Sequence, residues 1–173
     1  FYDAFDLDAN RLCIVIADVS GKGIAAALFM MKAQAVIREQ VKTKSALSEA
    51  FQGLNEALSK NNEALLFVTM FVVVLDVVHG SLEYVNAGHD TPWTKHGEDQ
   101  GWLHTKPGLA TGLFPDAVYA SHVRFLVPGD GMIMYTDGIT EATNAQEELF
   151  GRDRLAEVFS CFSHNDADKT LVD

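Results

Sequence analysis

The chain has 173 residues, of which 48% are hydrophobic, enough for one domain with a sizeable core. Its formal net charge of −11 argues against nucleic acid as a partner, because phosphate binding needs clustered Lys and Arg. No apolar run reaches the ~18 residues of a membrane span and none resembles a secretory leader, so we expect a cytoplasmic domain. Cys13 and Cys161 are too few for a disulfide scaffold, and we expect two buried thiols.

The first half of the chain predicts a strand, two helices and a further strand. Residues 11–17 are apolar and β-branched, which predicts a buried strand. Two stretches with apolar residues at helical spacing follow, the second capped by Thr43 or Ser45 and ended by Asn61-Asn62. Residues 65–78 then predict a core strand. The predicted buried positions are Ile24, Leu28, Met31 and Ala35 in the first helix and Leu47, Phe51, Leu54 and Leu58 in the second.

The second half predicts mainly strands. Residues 81–87 return beside the strand before them to form a hairpin. A long loop follows, in which Trp93 or Trp102 could mark a short strand. Residues 119–127 and 132–136 predict a second hairpin across the turn at residues 128–131, and residues 149–159 predict a final helix. This order indicates an α+β fold of layered sheets with helices outside.

Two aspartates stand where predicted strands end and a glycine follows closely. Asp18 opens the segment Asp18-Val19-Ser20-Gly21-Lys22-Gly23, and Asp137 lies in Tyr135-Thr136-Asp137-Gly138. Glycine permits a sharp turn and close approach to a ligand. Two carboxylates at strand ends could hold a hard divalent cation. Taken singly, each is equally well explained as an ordinary turn, since Asp favours turns by bonding its own backbone.

The glycines before the first helix suggest an anion site. Free N–H groups at Gly21 and Gly23 and the positive end of the helix favour an anion, and Lys22 would add a cation. A solvated loop lysine is the alternative for Lys22. A metal beside an anion site suits hydrolysis of a phosphate ester. The sequence patterns of cysteine phosphatases, serine hydrolases, phosphate-loop enzymes and zinc sites are not matched.

Several short motifs occur in one order along nearly the whole chain. They are Phe1-Tyr2-Asp3, Asp18-Val19-Ser20-Gly21-Lys22-Gly23, Phe67-Val68-Thr69-Met70, Tyr84-Val85-Asn86-Ala87-Gly88-His89, Pro107-Gly108, Pro128-Gly129-Asp130, Tyr135-Thr136-Asp137-Gly138-Ile139-Thr140-Glu141-Ala142 and Phe150-Gly151. In this order they resemble the SpoIIE-type (RsbU-like) bacterial branch of the metal-dependent Ser/Thr protein phosphatases, the type 2C (PPM) class.

The resemblance implies a fold and a chemistry. The fold would be a β-sandwich of two mainly antiparallel sheets flanked by helices, formed by a single domain over residues 1–173. Two Mn²⁺ or Mg²⁺ ions would lie at one end, and a metal-bridging hydroxide would hydrolyse phosphoserine. Carried over, Asp18 would bridge the ions, the Val19 carbonyl would bind one of them, and Asp137 would complete the set. The first two helices would be a regulatory pair.

The sequence also departs from the family pattern. The family's opening motif has an acidic residue one position before the residue that matches Phe1. Its later Asp-Asp-x-Thr motif is only imitated at residues 168–170, because Ala167 stands where the first Asp of the motif should be. We therefore expect a fragment, truncated at both ends, that lacks part of the metal site and the last strand. Asp3 would lie near the metals or bond only a loop, and His89 would belong to the site or to a structural turn.

The resemblance also implies partners. The substrate would be a phosphorylated protein, namely an anti-anti-sigma factor of STAS fold in a bacterial partner-switching pathway. An upstream sensor or receiver domain is expected in the parent chain, other parts of which could tether it to a membrane, and a homodimer stays open. The alternative function is a catalytically degenerate domain that binds a signalling partner without hydrolysis.

Overall fold

The computed structural model describes residues 1–161, with eight strands and four helices in that range. The elements are β1 (Tyr2–Asp6), β2 (Arg11–Val19), α1 (Ile24–Thr43), α2 (Leu47–Ser59), β3 (Val68–Asp76), β4 (Ser81–Ala87), β5 (Trp93–His96), β6 (Asp99–Trp102), β7 (His122–Phe125), β8 (Gly131–Ile133), α3 (Asp137–Thr140) and α4 (Gly151–Ser160). One sheet has the order β1-β2-β3-β4-β7 and the other the order β6-β5-β8. All strand pairs are antiparallel, which confirms the predicted α+β class with antiparallel sheets.

The chain divides into two compact units. The first comprises Phe1–His89 and Thr105–Phe125, and it contains the five-stranded sheet with α1 and α2. The second comprises Asp90–His104 and, within the described range, residues 126–161, and it contains the three-stranded sheet with α3 and α4. Within residues 1–161, none of the helices has the length and apolarity needed to cross a membrane.

The core of the first unit lies between its sheet and its two helices. Alternate residues of β2, namely Cys13, Val15 and Ala17, are fully buried in this core, as the two-residue period of a strand requires. From α2 the predicted stripe of Leu47, Phe51, Leu54 and Leu58 is buried against them. The prediction for the second helix is therefore confirmed.

The predicted buried stripe of α1 is wrong. Ile24, Leu28 and Met31 are 81%, 61% and 65% exposed, and Ala35 is exposed as well. The residues that α1 buries are Ala26, Ala33, Ile37 and Val41. The first half of this helix is apolar on every side, so its spacing alone selects no face. In the second half, Ile37 and Val41 lie one helical turn apart and are buried, with Val36 partly buried beside them, and counting back from Ile37 by one turn leads to Ala33.

The predicted caps of α2 are also wrong. Thr43 is the last residue of α1, and Ala46 stands at the N-cap of α2 without a side-chain bond. The Ser45 hydroxyl donates to Glu49 (3.1 Å), and the free N–H of Leu47 donates instead to the Glu83 carboxylate of β4 (3.3 Å). A long-range carboxylate thus satisfies a helix-end donor that local capping leaves open.

Two strand predictions need correction. Residues 119–127 and 132–136 do not form a hairpin, because β7 pairs with β4 and β8 pairs with β5. The Asp130 carboxylate accepts the N–H groups of Val127 (2.9 Å) and Gly97 (3.1 Å) and contacts His96 Nδ1. These bonds lower the pKa of the Asp130 carboxyl below its ordinary value, and the bond from the Val127 N–H has the largest effect. Asp130 thus joins its turn to the β5–β6 turn. The other correction concerns residues Tyr2–Asp6, for which no strand was predicted and which form β1.

Aromatic residues form the core of the second unit. Trp93 on β5 and Trp102 on β6 are directly paired, and their rings meet edge to face at 5.1 Å. Tyr135 and Phe159 complete the cluster, and the Arg152 guanidinium lies 4.1 Å from the centre of the Trp102 ring. Both tryptophans therefore mark short strands.

The two cysteines differ in their environment. Cys13 is fully buried, and burial raises the pKa of its thiol to about 12. Cys161 is exposed, so the prediction of two buried thiols holds only for Cys13. Cys161 follows directly after the last residue of α4, and the apolar stripe of that helix ends at Phe159.

The burial of the two helices predicts opposite results for two leucines. Leu54→Ala in α2 removes a fully buried side chain and should lower the free energy of unfolding by about 2–5 kcal/mol. Leu28→Ala in α1 removes a side chain that is 61% exposed and should change it by less than about 0.5 kcal/mol. Urea unfolding of both variants measures this, and equal losses would show that the assigned face of α1 is wrong.

Candidate active site

The pairing of β2 with β3 decides which way Asp18 points. Asp18 lies opposite Thr69 in the register, and its neighbour Ala17 is buried in the core against the helices. Because successive side chains of a strand point to opposite faces, Asp18 and Thr69 lie on the face away from α1 and α2. Asp18 is half-buried, its Oδ1 accepts the Val19 N–H (3.0 Å), and it forms no ion pair with any of the described residues.

A buried histidine reaches the same strand end. His89 Nδ1 lies 2.9 Å from Thr69 Oγ1, and that hydroxyl lies 3.5 Å from the carbonyl oxygen of Asp18. The His89 backbone is clamped by Asn86, whose Oδ1 accepts the His89 N–H (2.8 Å) and whose Nδ2 donates to the His89 carbonyl (3.1 Å). His89 is only 4% exposed. The structure therefore brings His89 to the end of β2, while the same residue closes the turn after β4.

Gly88 permits the turn that delivers His89. Its φ is 74°, and a Cβ at this position would lie 3.1 Å from the backbone nitrogen of Ala110. The neighbouring Gly108 donates its N–H to the Asn86 carbonyl (2.8 Å). A close approach of two backbones and a left-handed conformation both favour glycine.

The loop between β2 and α1 has a backbone that favours glycine. Gly21 and Gly23 both have φ of 83°, and Gly23 is the N-cap of α1, where no side chain caps the helix. Ser20 anchors the loop, because its N–H donates to the Phe67 carbonyl and its Oγ accepts the Phe67 N–H, both at 2.9 Å. Lys22 is exposed. The helix end is thus open to an anion, and Lys22 is free to reach one.

Asp137 lies in the second unit and is the first residue of the short helix α3. It is exposed, and its carbonyl accepts the N–H of Glu141 (2.7 Å) and the hydroxyl of Thr140 (3.1 Å). Gly138 is part of this helix, so Asp137 opens a short helical turn at this point.

Asp3 points to the other face of the sheet. It lies opposite Val15 in the register, on the side of the helices, and its Oδ2 accepts from Arg38 Nη1 (2.9 Å) and Gln34 Nε2 (3.5 Å). The contacts of Asp3 therefore join β1 to α1. A supporting role for Asp3 near a metal stays a prediction.

The donor set of the first unit suits a hard cation in part. Carboxylate and carbonyl oxygens are the ligands that Mg²⁺ and Mn²⁺ prefer, and the half-buried Asp18 carboxylate without a cationic partner fits that chemistry. Among residues 1–161, however, no three His, Cys, Asp or Glu side chains cluster so as to hold a metal. Any ion held here would depend on backbone oxygens and water for the rest of its coordination.

The site contains residues that sequence reasoning did not assign. Thr69 and Asn86 lie in motifs that were recognised, but neither was given a role. The Asn86-x-x-His89 spacing, in which an Asn side chain bonds the backbone three residues on, was the available signal for the turn. The Thr69 contacts depend on pairing between distant strands, which the local pattern does not contain.

Comparison with known proteins identifies the family. A family model for Stage II sporulation protein E (SpoIIE) matches residues 8–173. The chain belongs to the SpoIIE family. It is 31% identical to Protein IcfG of Synechocystis sp. over 92% of this chain and 30% of that protein. It is 29% identical to the phosphoserine phosphatase RsbU of Bacillus subtilis over 99% of this chain and 52% of that protein. The chain thus spans about a third to a half of these curated relatives.

Solved structures show the same fold. The SiaA-PP2C domain of Pseudomonas aeruginosa matches with a TM-score of 0.81 at 23% identity, over 98% of this chain and 68% of that one. The PP2C phosphatase domain of SpoIIE from Bacillus subtilis, solved with a fragment of its regulatory domain, matches with a TM-score of 0.79 at 20% identity, over 99% and 51%. The resemblance to the type 2C class is confirmed, and the fold is that of a PP2C phosphatase domain.

The Gly88 turn can be tested with a matched glycine. Gly88→Ala should lower the free energy of unfolding by more than the roughly 1–3 kcal/mol of a left-handed non-glycine residue, because the new Cβ also meets the Ala110 backbone. Gly97 has a φ of 58°, and a Cβ added there would have no atom within 4 Å, so Gly97→Ala should show the cost of the backbone strain alone. Urea unfolding of the two variants compares them. Equal losses would mean that the contact with Ala110 does not matter.

Proposed function

We propose that this chain is the phosphatase domain of a metal-dependent Ser/Thr phosphoprotein phosphatase that hydrolyses phosphoserine. The observation that carries the proposal is the half-buried Asp18 carboxylate, which has no ion-pair partner among the described residues. It is followed along the chain by Gly23, the N-cap of α1, where no side chain caps the helix. Family membership supports it, as do the names of its relatives RsbU and RsbP, both phosphoserine phosphatases of Bacillus subtilis.

In this proposal Asp18, the Val19 carbonyl and Asp137 are metal ligands. Two Mn²⁺ or Mg²⁺ ions, when bound, would lower the pKa of a water molecule and screen the phosphoryl oxygens. A related PP2C-fold protein, RsbX, has been solved in complex with magnesium. Asp18 would contribute its negative charge from a strand end held in the β2–β3 register, so that it reorganises little when a cation binds.

The loop at residues 21–23 would hold the phosphate of the substrate. The chain carries 24 acidic and 13 basic residues, so a phosphorylated partner needs local positive charge to approach. The open N–H groups at the start of α1 and the exposed Lys22 would supply it. His89 would support the strand end that carries Asp18 through its contact with Thr69.

The proposed biological setting is partner switching. The substrate would be a phosphorylated anti-anti-sigma factor of STAS fold, and the parent protein would carry an upstream sensor or receiver domain. Homodimerisation and tethering to a membrane through other parts of the parent protein belong to the same proposal. The relatives RsbU and RsbP and a stressosome protein among the structural neighbours support this setting.

One observation favours a second candidate function. Because no three metal-binding side chains cluster within residues 1–161, the domain could bind a phosphorylated partner without hydrolysing it. Such a module would keep the loop at residues 21–23 and would not depend on divalent cations. Metal dependence of turnover therefore separates the two candidates.

The metal ligands can be tested by charge removal. In the full-length parent protein, Asp18→Asn and Asp137→Asn should each reduce Mn²⁺-dependent hydrolysis of a phosphoserine protein by at least about a hundredfold, because a neutral amide cannot balance the charge of the cation. Asp6→Asn, which removes the same charge from an exposed position at the end of β1, should keep wild-type turnover. Steady-state phosphate release measures all three. Near-wild-type turnover of the Asp18 or Asp137 variant would refute the ligand assignment.

The number of ions bound can be measured directly. With fewer than three clustered side-chain ligands within residues 1–161, this polypeptide should bind at most one Mn²⁺ ion tightly, and its turnover should be correspondingly low. Calorimetric titration with Mn²⁺ gives the number of sites, and the Asp18→Asn variant is the control that should lose the tight one. Two tight sites in this chain would contradict the assignment.

A further inference from the structure

We propose that Thr69 and His89 form a positioning pair that fixes the end of β2 and thereby sets the geometry of Asp18. Neither residue would touch the substrate. The pair would act through the backbone that carries the Asp18 carboxylate and the Val19 carbonyl. The inference rests on the proposed function in one respect, namely that Asp18 binds a metal.

The Thr69 hydroxyl is the centre of the arrangement. Its Oγ lies 2.9 Å from His89 Nδ1 and 3.5 Å from the Asp18 carbonyl oxygen. A hydroxyl has one proton to donate and two lone pairs. When that proton goes to the Asp18 carbonyl, the contact with His89 requires a proton on Nδ1. One oxygen thus links the imidazole to the backbone of Asp18.

The backbone that carries the imidazole is held in place by several bonds. His89 is 4% exposed, and Asn86, itself 5% exposed, bonds both its N–H and its carbonyl. Gly88 and Gly108 pack the turn backbone closely behind it. Three elements, the ends of β2 and β3 and the turn after β4, therefore meet at Thr69.

The position of this polar cluster argues against a purely structural role. The next pair along the same face is apolar, with Ile16 opposite Phe71, and Phe71 is fully buried. Apolar residues fill such a face at no hydrogen-bonding cost, whereas buried polar groups are tolerated only when each is bonded. Along β2 and β3 themselves, Asp18 and Thr69 are the polar residues on this face, and Asn86 of β4, which holds the His89 backbone, lies opposite Phe71.

A shift at this point would reach the ligands directly. Asp18 and Val19 are the last two residues of β2, and beyond them two hydrogen bonds between Ser20 and Phe67 anchor the loop. Groups that orient metal ligands without touching the metal change metal affinity by about 10–100-fold when removed. We therefore expect the pair to affect metal affinity more than global stability.

The test compares two threonines bonded in the same region. Thr69→Val removes the hydroxyl and keeps the branched shape, and Thr69→Ser keeps the hydroxyl. Thr111→Val is the matched control, because the Thr111 hydroxyl is fully buried and donates to the carbonyl of Val68 (3.0 Å), the residue next to Thr69. Mn²⁺ affinity is measured by calorimetry and the free energy of unfolding by urea titration, on the whole 173-residue chain.

The expected result is a separation of affinity from stability. Thr69→Val should weaken Mn²⁺ binding about tenfold or more, Thr69→Ser should stay close to wild type, and Thr111→Val should lose stability without losing affinity. Equal effects of Thr69→Val and Thr111→Val on both quantities would overturn the proposal. So would the absence of Mn²⁺ binding to the wild-type chain.

A second pair of variants covers the case in which Thr69→Val does not fold. An Asn side chain places a polar atom near the Nδ1 position of His, whereas Gln reaches the Nε2 position. His89→Asn should therefore keep Mn²⁺ affinity better than His89→Gln, and the reverse order would overturn the proposal. If the affinities change as expected but the wild-type chain releases no phosphate from a phosphoserine protein, the proposed function fails while the positioning pair stands.

Discussion

The antiparallel register between β2 and β3 is the constraint on which the first unit depends. It pairs Arg11 through Val19 with Asp76 through Val68 without interruption. Slipping this register by one residue would exchange the two faces of the strand, so that Asp18 would enter the apolar core and Ala17 would leave it. The burial of the core and the face on which Asp18 lies are therefore set by the same backbone hydrogen bonds, and the Thr69–His89 pair would act on the strand end that this register places there.

The sequence predicted elements whose pattern was local and unambiguous. The buried stripe of α2 is as expected because its apolar residues have polar neighbours that select one face. β4 is as expected because it returns directly after the turn that ends β3 and pairs with that strand. The face of α1 was mispredicted because its first half is apolar all round, and its exposed Leu28 looks like a core residue in isolation. The partner of β8 was mispredicted because Asp130 bonds the distant β5–β6 turn, a contact that no local pattern contains.

The candidate site was predictable to a similar extent. The glycines after Asp18 were expected to permit a sharp turn before the first helix, and Gly21 and Gly23 both have positive φ in the loop that leads into α1. The environment of Asp18 was not predictable from local patterns. Thr69, which contacts the Asp18 carbonyl, lies 51 residues further along the chain, and His89, which contacts Thr69, lies another 20 residues on. A pattern of motifs in order indicated the family, but the hydrogen bonds that support Asp18 depend on how separate strands and turns meet.

The most direct test of the account is the position of a bound metal. A crystal of the wild-type chain soaked with Mn²⁺ and measured at the manganese absorption edge would locate each ion by its anomalous signal. The account predicts a peak within about 2.5 Å of an Asp18 carboxylate oxygen, on the face of the five-stranded sheet away from α1 and α2. A chain that binds manganese only elsewhere, or that leaves Asp18 without a peak at saturating Mn²⁺, would contradict it.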